Sequence, residues 1–210
     1  MHSAAKYRSM QPKSGKNIPL HDYLYEQKYD GIRMLAGKAT DASIELMSRE
    51  QKPITAAFPE LVAELAENPY SFVIDGEACI FIDGRPSLGA VTSRINGLRP
   101  SRKIWKIIPH PPAMLLAFDL LELDGEDCRQ LPIEKRKALL KDLLPRKRQF
   151  IRCVEYTHTH GELLFKHARQ LGAEGIVCKQ VGSRYVEGYS DRWLKFKVAG
   201  YRPDLPSIGY

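Results

Sequence analysis

Apolar residues recur along this chain with two periods, and the periods separate helices from strands. Phe58, Leu61, Val62 and Leu65 follow i, i+3, i+4, i+7 after Pro53, and Asn68-Pro69 closes the pattern, which predicts a helix. Pro132 opens a second helix with Leu140, Leu143 and Leu144 on one face and Pro145 as its stop. Leu164, Ala168 and Leu171 mark a third, with Gly172 placed to end it. Five other stretches, 24–36, 72–82, 114–123, 174–179 and 193–198, read as strands, and Asp83-Gly84 and Asp124-Gly125 are hairpin-turn signals. Strands and helices do not alternate regularly, so the expected fold class is α+β, with antiparallel sheets flanked by helices. Residues 1–19, with Pro12, Gly15 and Pro19, read as a basic N-terminal arm, 20–198 as one domain and 199–210 as a C-terminal tail.

Charge narrows the choice of partner. The 210 residues carry 32 Lys+Arg against 25 Asp+Glu, a net charge of +7. The excess is clustered: Lys6, Arg8, Lys13 and Lys16 come first, then Arg99, Arg102, Lys103 and Lys106. A third run extends from Lys135 through Arg146, Lys147 and Arg148 to Arg152. Patches of this kind attract a polyanion and release its counterions, which makes nucleic acid the leading partner class. Part of the third run reads equally well as the solvated face of the second helix. No apolar run approaches the roughly 18 residues of a membrane span, and MHSAAKYRSM has no hydrophobic leader core, so a cytoplasmic chain is expected. The four cysteines form no CxxC pair and are expected to be reduced thiols.

The strand-like segments carry the chemistry. In Glu26-Gln27-Lys28-Tyr29-Asp30-Gly31-Ile32-Arg33, alternation puts Glu26, Lys28 and Asp30 on one face, and Gly31 permits a tight turn beside a ligand. Lys28 is either a salt-bridged surface lysine or a covalent nucleophile. A nucleophile needs help, because an exposed lysine with a pKa of about 10.4 is neutral in about one molecule per thousand at pH 7.4. In 72–82, Phe72, Ile74, Ile80 and Ile82 share a face, while Asp75 and Glu77 lie on the other among Val73, Cys79 and Phe81. Two carboxylates in so apolar a strand require a ligand hydroxyl, a metal or a buried ion pair. Trp193-Leu194-Lys195-Phe196-Lys197-Val198 sets two like charges side by side. That fits a phosphate between them, or an edge strand guarded by lysines. Phe118 offers a face for stacking a base, or simply fills the core.

In order along the chain, Lys28-x-Asp30-Gly31-x-Arg33, Ser48-Arg49, Asp75-Gly76-Glu77, Phe118-Asp119, Glu174-Gly175-Ile176-Val177-x-Lys179 and Trp193-Leu194-Lys195-x-Lys197 resemble the motifs of the covalent nucleotidyltransferases. These are the ATP-dependent DNA ligases, RNA ligases and mRNA capping enzymes. Phe118 to Gly125, Leu131 to Arg136 and Ala173 to Val177 look most like the ligase domain of bacterial ligase D enzymes, and the resemblance covers about residues 20 to 198. It implies that Lys28 attacks the α-phosphate of ATP, releases pyrophosphate and carries AMP to the 5′-phosphate of nicked or broken double-stranded DNA. It further implies that Glu26 meets the adenine edge, Phe118 stacks on the ring and Glu77 binds the ribose. Arg33 and Arg49 lie near the sugar, phosphates or nick. Lys179 belongs to the nucleotide set, Lys195 and Lys197 hold the α-phosphate, and Glu174 with Glu77 holds Mg²⁺ or Mn²⁺. An RNA ligase, a capping-type enzyme or a non-catalytic nucleotide- or DNA-end-binding module are the alternatives. Two departures stand out. Tyr189 follows Gly188 where the family usually has arginine, and only thirteen residues, including Pro203, Pro206 and Gly209, follow Lys197. No oligonucleotide-binding barrel is therefore expected here, and a separate barrel or end-joining protein is an expected partner.

Overall fold

The alternating segments pair into two sheets in the structure, a computed structural model that describes residues 4–97, 111–144 and 148–203. The basic residues Arg99, Arg102, Lys103, Lys106, Arg146 and Lys147, the stop expected at Pro145 and the tail residues Pro206 and Gly209 lie outside the described residues. The first sheet runs Met10–Ser14 (β1), Gly188–Lys197 (β12), Gly175–Gln180 (β11), Tyr23–Lys28 (β2), Tyr156–Thr157 (β10). The second runs Ile44–Ser48 (β4), Ile32–Lys38 (β3), Phe72–Ile82 (β5), Ala113–Leu123 (β7), Glu126–Asp127 (β8). Arg85–Pro86 (β6) joins β5, and Ile151–Cys153 (β9) joins β7. The sheets are antiparallel, as expected, apart from two parallel pairs, β1 with β12 and β7 with β9.

Alternation in β5 explains the layering. Phe72, Ile74, Ala78 and Ile80 pack on Leu61 and Leu65 of Pro59–Ala66 (α1), Val91 of Leu88–Gly97 (α2), and Leu140 and Leu143 of Ile133–Leu143 (α3). Val73, on the opposite face, meets Leu35 together with Leu24 and Trp193 of the first sheet. The far side of the first sheet buries Tyr25, Ile176, Cys178 and Phe196 against Leu164 and Ala168 of Gly161–Gln170 (α4). Both predicted hairpin turns form, with φ of 49° and 74° at Asp83-Gly84 and 47° and 87° at Asp124-Gly125, the left-handed geometry of a two-residue hairpin. Ile82 departs from its expected inward face and is exposed where β5 runs out into the turn.

Three expectations change. The stretch 24–36 is two strands in two different sheets, and the chain crosses between them at Tyr29-Asp30-Gly31. Gly31 is needed there because a Cβ would lie 2.4 Å from the Ala78 carbonyl oxygen. The segment read as an arm does not stand apart: Ala4, Tyr7 and Met10 are buried, and β1 pairs along β12. Pro12 hid that strand, yet an edge strand tolerates proline. The cations of α3 are not all solvated, since Arg136 and Lys137 point into the interior. Helix α2, capped by the Ser87 hydroxyl accepting from the Ala90 N–H at 3.1 Å, was masked by its two glycines.

Candidate active site

Strand register brings the motif residues together. Lys28, Gly175 and Lys197 form one row across β2, β11 and β12; Glu26, Val177 and Lys195 form the next; Leu24, Lys179 and Trp193 the third. Side chains two apart share a face, so three strands present one surface of alternating charge between the sheets. Gly175 is obligatory in this row: its φ is +149°, and a Cβ would sit 1.9 Å from the Phe196 carbonyl oxygen. Directly before it, the buried Glu174 carboxylate accepts from Lys28 Nζ on Oε2 and pairs with Lys197 Nζ through Oε1, each at 2.7 Å. Burial pushes the Lys195 ammonium below its ordinary pKa, and Lys197 and Lys28 push it the same way.

The second sheet supplies the opposite wall. Arg33 and Glu77 are register partners on β3 and β5. Arg33 donates through Nε and Nη2 to the two Asp75 oxygens at 2.6 Å each, and through Nη2 to the Met10 carbonyl at 2.9 Å. Tyr185 donates its hydroxyl to Asp75 at 2.5 Å and accepts from the Met10 N–H at 2.8 Å. Asp75 is thus satisfied by protein groups. Glu77 has no such clamp: burial raises its carboxyl to about 7, opposed by the Arg33 and Lys28 charges. The Phe118 ring has the Arg33 guanidinium 4.4 Å and the Lys179 ammonium 4.3 Å from its centroid. Glu26, at 2% exposure, pairs through Oε1 with Lys137 at 2.6 Å and through Oε2 with Lys179 at 2.7 Å. Burial lowers Lys179 to about 8.

These walls enclose a cleft of about 410 Å³, a volume suited to a nucleotide-sized ligand. Glu26, Lys28, Glu174, Lys179 and Lys195 line it from the first sheet and its approach, Arg33, Glu77 and Phe118 from the second, and Arg49 borders it after β4. Lys197 reaches the site through Glu174. Arg33, Glu174 and Arg49 have protein partners here. The Arg33 guanidinium pairs with Asp75 while lining the cleft, and both Glu174 oxygens carry lysines. Arg49 is exposed and pairs with Glu50 at 3.0 Å. Tyr189 is 70% exposed and lies opposite Gln11 of β1.

Sequence reading missed Lys137, Val177, Tyr185 and Tyr201. Lys137 had a signal: with Ile133, Leu140 and Leu144 it continues an i, i+4, i+7, i+11 apolar stripe, where a charge is anomalous. Tyr201, donating to Asp30 Oδ2 at 2.8 Å, had none, because that contact joins segments 171 positions apart.

Two facing sheets that close a lysine-bearing cleft, flanked by helices, define a nucleotidyltransferase domain of the ligase type. A solved structure described as mycobacterial DNA ligase D complexed with ATP and MES superposes with a TM-score of 0.74 at 28% identity, over 92% of this chain and 60% of that one. The family description "ATP dependent DNA ligase domain" matches residues 4–197, and the chain belongs to that family. A probable DNA ligase of Sorangium cellulosum is 36% identical over 83% of this chain and 33% of its own length. The SPbeta prophage-derived DNA ligase-like protein LigB of Bacillus subtilis is 31% identical over 84% of this chain and 62% of its own. The chain therefore spans between one third and just under two thirds of these relatives.

Proposed function

We propose that this chain performs ATP-dependent adenylyl transfer, with Lys28 Nζ attacking the α-phosphorus of ATP. The P–N bond forms as the bond to pyrophosphate breaks, and AMP then passes to the 5′-phosphate of a nick in double-stranded DNA for strand joining. One observation carries this reading: Lys28 Nζ sits in the cleft against the Glu174 carboxylate, with Lys197 on the other oxygen and Lys195 one row away. The proton that Nζ must shed has a carboxylate 2.7 Å away to receive it. Lys195 and Lys197 supply positive charge where charge develops on the phosphate oxygens.

The donor set fits a divalent cation such as Mg²⁺, which needs only one or two protein carboxylates alongside phosphate oxygens and water. Glu77 and Glu174 border the cleft, and the Glu174 charge helps push the Glu77 carboxyl up. They would hold the cation, which when bound neutralises phosphate charge. Exposed cations outside the cleft, among them Lys13 and Arg152, support a polyanionic partner.

Intact-mass measurement after incubation with ATP and Mg²⁺ tests the first step. The expected result is a gain of one AMP, abolished in Lys28→Ala; an unlabelled wild-type chain overturns the reading. Sealing of a labelled nicked duplex, in competition with nicked RNA and with a ligase barrel domain added in trans, tests the second.

A further inference from the structure

We infer that Lys137, on α3 and outside the cleft, is the positioning residue that holds Glu26 for recognition of the nucleotide base. The inference rests on the adenylyl-transfer reading and concerns which base is accepted. Lys137 drives an ammonium into the interior, its side chain 3% exposed, from a stripe otherwise formed by Ile133, Leu140 and Leu144. Burying an ion costs several kcal/mol unless a well-placed partner compensates, and leucine would pack that stripe without this cost. The partner is Glu26 Oε1 at 2.6 Å, while the Tyr156 ring lies 5.0 Å from the same ammonium. Tyr156 is itself the register partner of Glu26, so α3 and β10 grip one residue of β2.

Two ammonium groups, one on each carboxylate oxygen, fix the plane of Glu26 in a way that one cannot. Lys179, on Oε2, lies 4.3 Å from the centroids of both Phe118 and Trp193, which ties the carboxylate to the aromatic wall of the cleft. Each oxygen of an ionised carboxylate accepts more than one hydrogen bond, so Glu26 keeps acceptor capacity toward the cleft. An amino-bearing base edge satisfies that acceptor; a base presenting a carbonyl there meets repulsion and leaves it unpaired. Lys137 also acts on Lys179. Burial, with Lys137 acting in the same direction and Glu26 and Asp119 against it, lowers the Lys179 ammonium to about 8. Other charged or titratable groups near this cluster are Arg136, bound to Asp119, Arg33, over Phe118, Tyr29 and Cys178, which feel the Glu26 charge, and Cys153, which feels Lys137, Glu155 and Lys141.

The test compares wild type, Lys137→Met and Lys137→Arg for lysyl-AMP formation against ATP and GTP from pH 6 to 10. In Lys137→Met, half-saturation by ATP is expected to rise roughly tenfold, the loss of one buried ion-pair contact to Glu26, with a smaller change in the saturated rate. Discrimination against GTP falls, and the alkaline limb of ATP affinity moves above its wild-type position near pH 8. Lys137→Arg recovers most of the ATP affinity. A folded Lys137→Met variant with unchanged half-saturation, GTP discrimination and alkaline limb overturns the inference. If Lys137→Met does not fold, affinity for a non-hydrolysable ATP analogue in Lys137→Arg and Lys137→Gln decides. There the expected result is wild-type affinity in Lys137→Arg and weakened affinity in Lys137→Gln, and equal affinity in the two variants overturns the inference. Failure of wild type to form any adenylate instead strikes the parent reading.

Discussion

Lys28 and Lys197 stand in the same row on either side of Gly175 and share the two oxygens of a single carboxylate, Glu174. The nucleophile is therefore held by an anion whose other oxygen is already engaged, so a phosphate approaching Lys197 competes with Glu174 for its ammonium. Glu174→Gln leaves both lysines without their partner. Lysyl-AMP formation is expected to fall by about two orders of magnitude, the loss of buried charged contacts, while Lys197→Met loses less because Lys28 keeps its partner. Single-turnover labelling with ATP measures both.

Gly175 gives a sharper test of the same row. The Cβ of Gly175→Ala would meet the Phe196 carbonyl at 1.9 Å, so the β11–β12 pair must open. The variant is expected to lose adenylation even though it changes no charged residue. Hydrogen exchange should show protection lost along Trp193–Lys197 first; unchanged protection contradicts the assigned register.

The Arg136–Asp119 pair is fully buried, with Arg136 donating to both Asp119 oxygens at 2.6 and 2.9 Å and to the Ser183 carbonyl at 2.9 Å. Asp119→Ala leaves a guanidinium buried without its counter-charge and is expected to cost about 3–5 kcal/mol in urea unfolding. A double variant, Asp119→Leu with Arg136→Met, should recover most of this.

Glu77 makes stability depend on pH. Partial withdrawal from water in the cleft wall, opposed by Arg33 and Lys28, pushes its carboxyl up from an ordinary 4.5 to about 7 in the folded chain. Between those values the folded state binds more protons than the unfolded one, so this group's stabilisation, complete below about 4.5, is lost as pH rises through 7. Glu77→Gln should flatten that decline, by an amount on the order of 1–3 kcal/mol between pH 5 and 8. Unfolding midpoints across the range check the sign.

Tyr201 donates to Asp30, two residues from the nucleophile. Burial raises the Asp30 carboxyl, and the tyrosine hydrogen bond lowers it. Tyr201→Phe is expected to raise it further, moving the acid limb of the labelling rate to higher pH, and to cost about 1 kcal/mol of stability. A pH–rate profile with an unmoved acid limb counts against a role for Tyr201 beyond packing.

Periodicity of apolar residues settled the long elements: β5, β7, α1, α3 and α4 were legible because each buries one face whose spacing is written in consecutive residues. The charged motif residues were legible too, since a lysine or carboxylate on an apolar strand is costly and therefore conspicuous. What those charges hold was decided only by the tertiary structure. Arg33 meets Asp75 across 42 positions, Lys28 meets Glu174 across 146, and Lys137 meets Glu26 through a helix whose charges looked solvated. Register between strands distant in sequence is fixed by packing of both faces together, with backbone approaches as close as that at Gly175. No local pattern along the chain encodes which oxygen a given ammonium will find.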